Sequence, residues 1–151
     1  MNTLILYDTL YGHNFELGNF IYQTILPSAI FLSFKEALQV KLDSIDLLIL
    51  CPCTYGEGQL TASEEKFYNY LCQCQFSVPR LVYYIAGVGD KNFGPAKFAN
   101  AVNIFDRQLR QHAASPLASS LKIDYEDLPT AQQTVTDEIT NFLRKGRDSN
   151  Y

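Results

Sequence analysis

The chain has 151 residues, of which 47% are hydrophobic and 19% charged, so it has single-domain size, can bury a core and is not intrinsically disordered. Twelve Lys and Arg against 16 Asp and Glu give a net charge of −4, without the positive excess that drives binding to phosphate backbones, and no nucleic acid partner is expected. No apolar run reaches the length of a membrane span and the chain opens on Met1, Asn2 and Thr3 rather than a basic segment, so no membrane partner and a cytoplasmic location are expected.

Apolar runs and helical patterns alternate along the sequence. Leu4, Ile5 and Leu6 predict a first strand, and after Gly12 the residues Leu17, Phe20, Ile21 and Ile25 recur at helical spacing. Residues 29–34 read as a second strand and residues 47–50 as a third, buried on both faces. Thr61 followed by Glu64 forms a capping box that opens a helix with Phe67, Tyr70, Leu71 and Cys74 on its apolar face. Residues 81–86 predict the fourth strand. Phe98, Val102, Phe105 and Leu109 mark a long helix, Leu121 and Ile123 a weak fifth strand, and Val135, Ile139, Phe142 and Leu143 the last helix. Residues 1–143 are expected to form the domain, and the polar residues 144–151 a frayed tail. This β-α repetition implies an α/β fold: a doubly wound parallel sheet of five strands with helices on both faces and right-handed crossovers.

Four cysteines fall in two C-x-C pairs, Cys51/Cys53 and Cys72/Cys74. A four-thiolate metal site is conceivable, but zinc pairs mostly use two to four intervening residues, and buried free thiols that pack as small hydrophobes are the plainer reading.

In a sheet of this kind ligands bind beyond the carboxyl ends of the strands, where strand order reverses. After strand one come Thr9, Leu10, Tyr11, Gly12, His13 and Asn14, then a helix. Hydroxyl and amide groups with a glycine at a helix start can cradle an anion, because the first backbone N–H groups there lack partners. Residues 1–34 contain no Lys or Arg, so neutral donors would hold it. After strand three come Thr54, Tyr55, Gly56, Glu57 and Gly58, an aromatic followed by two glycines that let backbone approach a planar ligand. Gly87, Val88, Gly89, Asp90, Lys91, Asn92 and Phe93 follow strand four. Taken singly, each stretch reads equally well as an ordinary turn or helix cap; three at one sheet edge are a stronger signal.

Together these stretches resemble flavodoxins, more closely the short single-domain bacterial flavodoxins of the MioC and YqcA type and the flavodoxin domains of diflavin reductases. Thr9 to Asn14 looks like T-M-Y-G-N-S, and Thr54 to Gly58 with Phe67 and Tyr68 like T-Y-G-E-G…F-Y; Gly87 to Phe93 with Phe98 is similar to G-x-G-x-x-x-Y…F. The resemblance covers essentially the whole chain. It implies strand order 2-1-3-4-5 with FMN as cofactor at the switch point, an arrangement of which flavodoxin is itself the type example. Thr9, Leu10, Tyr11, Gly12, His13 and Asn14 would then hold the phosphate, and Tyr55 and Phe93 would stack on the two faces of the ring. Thr54, Gly56, Glu57, Gly58, Gly87, Gly89, Asp90 and Asn92 would complete the surrounding loops. The chain departs from common flavodoxins at Tyr11 and Asn14, where they have threonine, and at Phe93, the usual outer tyrosine. Residues 121–129 leave no room for the extra loop expected within strand five of long-chain members.

The function implied is one-electron transfer by a monomeric carrier between a flavodoxin reductase or similar donor and an acceptor enzyme. One alternative is a small flavin-dependent reductase. Another is a receiver-like signalling module, against which Cys51, Pro52 and Cys53 stand where a phosphoacceptor Asp is required. Asp43, Asp46, Glu57, Glu64 and Glu65 occur without an intervening basic residue, which predicts docking of partners on an acidic face beside the flavin.

Overall fold

The computed structural model describes residues 1–73 and 78–148. Five parallel positions make the main sheet. Strand β1 (Thr3–Tyr7) lies between β2 (Ile30–Ser33) and β3 (Leu47–Cys51), with Leu4 opposite both Ile30 and Leu48. Beyond the short antiparallel ribbon of β4 (Thr54–Tyr55) and β5 (Gln59–Leu60), strand β6 (Val82–Gly89) pairs with β3. The fifth position is filled twice: β7 (Ser115–Pro116) pairs with the first half of β6, and β8 (Leu121–Asp124) with its second half. The strand order is thus 2-1-3-4-5 as expected, with the last strand starting at Ser115 and interrupted over residues 117–120.

Alternation along the strands sorts side chains into two cores. Leu4, Leu6, Leu48, Leu50, Tyr83 and Ile85 face α2 (Ala62–Gln73) and α3 (Asn100–Gln111), joined by Phe67, Leu71, Phe105 and Leu109. Ile5, Ile49, Cys51, Tyr84, Ala86 and Val88 face α1 (His13–Phe20) and α4 (Leu128–Asp148), joined by Leu17, Ile21, Val135 and Ile139. The two tyrosines are tolerated mid-sheet because each phenol reaches a carboxylate at the rim: Tyr83 donates to Asp106 at 2.6 Å and Tyr84 donates to Glu138.

Several boundaries depart from the periodicity. Strand β6 runs three residues beyond Ala86, so Gly87 and Gly89 lie in the strand, not in the loop after it. Two 3-10 segments, Phe34–Gln39 and Leu42–Ser44, connect β2 to β3 in place of an α-helix. They carry Phe34 under the first core, 5.4 Å from the Phe105 ring centroid and 5.6 Å from that of Phe67. Helix α4 continues through Asp148, so residues 144–148, expected as a frayed tail, extend a helix, while residues 149–151 lie outside the described part. Cys51 and Cys53 are buried free thiols that burial pushes up to about 12, Cys72 is exposed, and Cys74 lies outside the described residues. No described helix is long and apolar enough to cross a membrane.

Helix α3 ends at exposed Ala113, whose φ of 65° is left-handed; the N–H of Ala114 returns to Leu109 O at 3.2 Å. Glycine is the residue that adopts this C-terminal turn without a Cβ clash. Ala113→Gly is expected to stabilise the protein by about 0.5–1 kcal/mol, read as a higher urea midpoint at unchanged slope. A lower midpoint would show that the left-handed turn is not strained.

Candidate functional site

Three loops converge on one cleft of about 490 Å³ at the carboxyl ends of β1, β3 and β6, with Tyr125 closing it from the end of β8. Its size is that of a small-molecule site.

The first wall is the turn from β1 into α1. Gly12 caps the helix with φ +93°, a left-handed conformation in which an added Cβ would meet nothing within 4 Å but the backbone itself would be strained. Its N–H donates to Thr9 Oγ1 at 2.6 Å, which tightens the turn and leaves the Thr9 hydroxyl free to donate elsewhere. The opening N–H groups of α1 have no helical acceptor and carry the positive end of the helix dipole. Thr9, Leu10, Tyr11, His13 and Asn14 line the cleft here, and the His13 ring stacks on Tyr125 at 5.6 Å. Asn14, however, has its amide engaged elsewhere. Buried, it donates to Val88 O at 3.1 Å and accepts the Val88 N–H at 2.8 Å, so it bolts α1 to β6, with one of its two amide N–H groups committed to that brace.

The second wall is the ribbon after β3. Cys53, Thr54, Tyr55 and Gly56 line the cleft, and Thr54 Oγ1 accepts the Ala101 N–H at 3.0 Å, which ties this loop to the first turn of α3. Below it, buried Glu64 and half-buried Thr61 form the expected capping box: Glu64 Oε1 accepts the Thr61 N–H at 2.9 Å, and Thr61 Oγ1 accepts the Glu64 N–H at 3.2 Å. The third wall runs from Val88, Gly89 and Asp90 to Phe93, then Lys97, Phe98 and Ala99. Asp124 holds it in place by accepting the Lys91 N–H at 3.0 Å.

Tyr55 and Phe93 are 54% and 62% exposed, large rings left in solvent on two walls of one cleft. Exposed aromatic faces flanking a cleft whose far end is a helix N-terminus suit a flat heteroaromatic ligand bearing an anion. A flavin mononucleotide has that shape and charge, and the donor set fits it.

Five expected residues do not line the cleft. Gly87 sits mid-strand against α3, where a Cβ would come within 2.6 Å of Val102 Cγ2, so close packing of strand and helix, not cofactor contact, requires glycine. Gly58 is buried in the β4–β5 ribbon and accepts from Asn100 Nδ2 at 2.8 Å. Gly12 and Asn92 serve their own turns; the Asn92 N–H donates to Asp90 Oδ1 at 2.9 Å. Glu57 points outward and pairs with Lys97. The expected acidic face also dissolves, because Glu64 is buried and Asp43 and Asp46 lie beside the amino end of β3, opposite the cleft, where Asp46 accepts the Asn2 N–H at 2.7 Å. Cys53, Val88, Lys97, Phe98, Ala99 and Tyr125 line the cleft without having been singled out as ligand residues. For Tyr125 the signal was its place at the carboxyl end of the last strand.

No family model matches the sequence. The NADPH–cytochrome P450 reductase of Musca domestica is 30% identical over 82 residues, 54% of this chain but only 12% of the reductase. A probable flavodoxin 1 of Bacillus subtilis is 26% identical over 124 residues, which cover 80% of this chain and 76% of that protein. Among solved structures, a short-chain flavodoxin associated with a non-canonical PDU bacterial microcompartment superposes with a TM-score of 0.77 at 25% identity, over 94% of this chain and 99% of the other. The chain has the flavodoxin-like fold. The flavodoxin-like chain therefore places its cleft where the strand order of this fold reverses, between the loops after β1 and β3.

Proposed function

We propose that this chain is an FMN-binding electron carrier that takes electrons from a reductase-type donor and delivers them singly to an acceptor enzyme. The observation that carries it is the pair of exposed rings, Tyr55 and Phe93, on a cleft that ends at the amino terminus of α1. When bound, FMN supplies the one-electron chemistry; the protein supplies binding, orientation and electrostatics. Thr9, Tyr11, His13 and the first N–H groups of α1 hold the phosphate end without a Lys or Arg. Tyr55 and Phe93 cover the ring, and the backbone of Thr54, Gly56, Gly89 and Asp90 borders it. Cys53, Val88 and Ala99 close the floor against water.

Partners meet the cleft at its open rim. There Glu126, which accepts from the Tyr125 hydroxyl at 3.1 Å, and nearby Asp90 and Asp124 hold the Tyr125 phenol above its ordinary range. Exposed Glu126 and half-buried Asp90 of this cluster, and not the 43–65 stretch, form the acidic rim we assign to docking of a cationic partner surface, while buried Asp124 holds the loops beneath it.

Protein purified without added flavin is expected to be yellow and to release FMN on denaturation; a colourless protein that takes up no FMN overturns the reading. Tyr55→Ala and Phe93→Ala each remove stacking worth about 0.5–1.5 kcal/mol, so the FMN Kd from fluorescence titration should rise about two- to tenfold. Unchanged affinity in both would take the rings out of the site.

A further inference from the structure

Beneath the cleft three elements meet at one buried carboxyl group. Glu64, 0% exposed, accepts the Cys53 N–H through Oε2 at 2.6 Å and the Thr61 N–H through Oε1 at 2.9 Å. The Thr61 hydroxyl donates to Asp8 Oδ2, and Asp8 Oδ1 accepts the Thr9 N–H at 2.9 Å. One hydrogen-bonded chain thus joins Cys53 to Thr9, the floor of the second wall to the root of the first, and both residues line the cleft. No Lys, Arg or His forms an ion pair with Glu64 among the described residues. The ionisable groups that face it are acidic: Asp8 from the β1–α1 turn and the Cys53 thiol from the end of β3.

Such a group is caught between opposed forces. Burial, and to a lesser extent the Asp8 charge, favour the neutral acid, while the two N–H donors favour the carboxylate; burial prevails and lifts Glu64 to about 8. Its charge is therefore sensitive to charge placed close to Cys53 or Asp8. A buried carboxylate with no counter-cation is also a costly way to pin a loop, since the neutral amide of glutamine could accept one of the same bonds.

We propose that Glu64 is a positioning residue that couples the cleft to a proton: when an anionic ligand settles over Thr9 and Cys53, Glu64 holds its proton more tightly, and at mildly alkaline pH binding draws a fraction of a proton from solvent. The inference rests on FMN as that ligand. The step is a protonation alone, carboxylate to carboxylic acid, with no other bond made or broken. Because the added negative charge makes the bound form hold its proton more tightly than the free form, the bound form carries more protons, and by linkage affinity falls as pH rises through the interval between the two values. Each unit separating them is worth tenfold in Kd. Glu64→Gln fixes the group neutral and removes the dependence.

The test measures FMN Kd from pH 7 to 9 in protein carrying Tyr11→Phe and His13→Asn, which lacks the titratable side chains of the phosphate turn, and in the same protein carrying Glu64→Gln. The expected result is about a tenfold loss of affinity across the range in the first and a flat profile in the second. Calorimetry of the same background protein near pH 8, in buffers of different ionisation enthalpy, should show net proton uptake on FMN binding; this needs no change at Glu64 and stands if Glu64→Gln fails to fold. Parallel pH profiles, or no proton uptake by the background protein, overturn the role of Glu64 while leaving FMN binding intact. Absence of FMN binding at every pH in every form overturns the proposed function instead, and this linkage with it.

Discussion

Gly87→Ala should destabilise the protein by about 3 kcal/mol or more, the upper end of what overpacking a well-filled core costs. Position 87 lies in β6 with α3 on one side and the loop after β3 on the other. An added Cβ would sit 2.6 Å from Val102 Cγ2 and 3.1 Å from the Pro52 carbonyl oxygen. Only one of these neighbours is a side chain. Val102→Ala made together with Gly87→Ala removes the worse clash and should recover part of the loss, whereas Pro52 belongs to the backbone that leads into the cleft and cannot yield without moving it. Urea unfolding of the two single variants and the double variant reads the effect as a non-additive cycle. A stable Gly87→Ala protein that had lost FMN affinity would reverse the assignment and return Gly87 to the cofactor site.

Asn14→Ala should cost about 2–5 kcal/mol and weaken FMN binding besides. The Asn14 amide satisfies both backbone groups of Val88, whose N–H and carbonyl lie in the buried interior, and each buried group left without a partner costs about 1–3 kcal/mol. The loss reaches function through geometry, because these two bonds set where the first turn of α1 stands relative to β6, and the open N–H groups of that turn form the phosphate end of the cleft. Denaturation midpoint and FMN Kd should therefore move together. Asn14→Asp separates the roles: it keeps the acceptor for the Val88 N–H, loses the donor to the Val88 carbonyl, and adds a buried charge of the same sign as the ligand. Its affinity should fall further than that of the alanine variant. If stability were unchanged in both, Asn14 would be a ligand residue and not a brace.

These two positions mark the limit of what local sequence can say. Gly87 and Asn14 both occur in stretches that resemble a cofactor-binding pattern, and both do their work against the chain's own interior. A glycine required by a ligand and one required by a helix packed across a strand look alike in one dimension, since the deciding neighbours, Val102 and Pro52, are 15 and 35 positions away. Likewise the two backbone groups that engage the Asn14 amide lie 74 residues downstream.

What the sequence determined by itself is what depends on spacing along the chain. The apolar runs and helical patterns specify a parallel α/β sheet, the resemblance of the loops to those of flavodoxins implies its order 2-1-3-4-5, the Thr61–Glu64 capping box starts α2 where the residues place it, and the loops after β1, β3 and β6 supply most of the residues that line the cleft. What only the tertiary structure decided is which side chains in those loops face the cleft and which are consumed in holding it. Five carboxylates close together in sequence were dispersed because a strand carries its ends to opposite edges of the sheet: Asp43 and Asp46 went to the amino edge, and Glu64 went inside. Lys97 and Tyr125 joined the site for the reciprocal reason, that residues far apart in sequence share an edge once their strands run parallel.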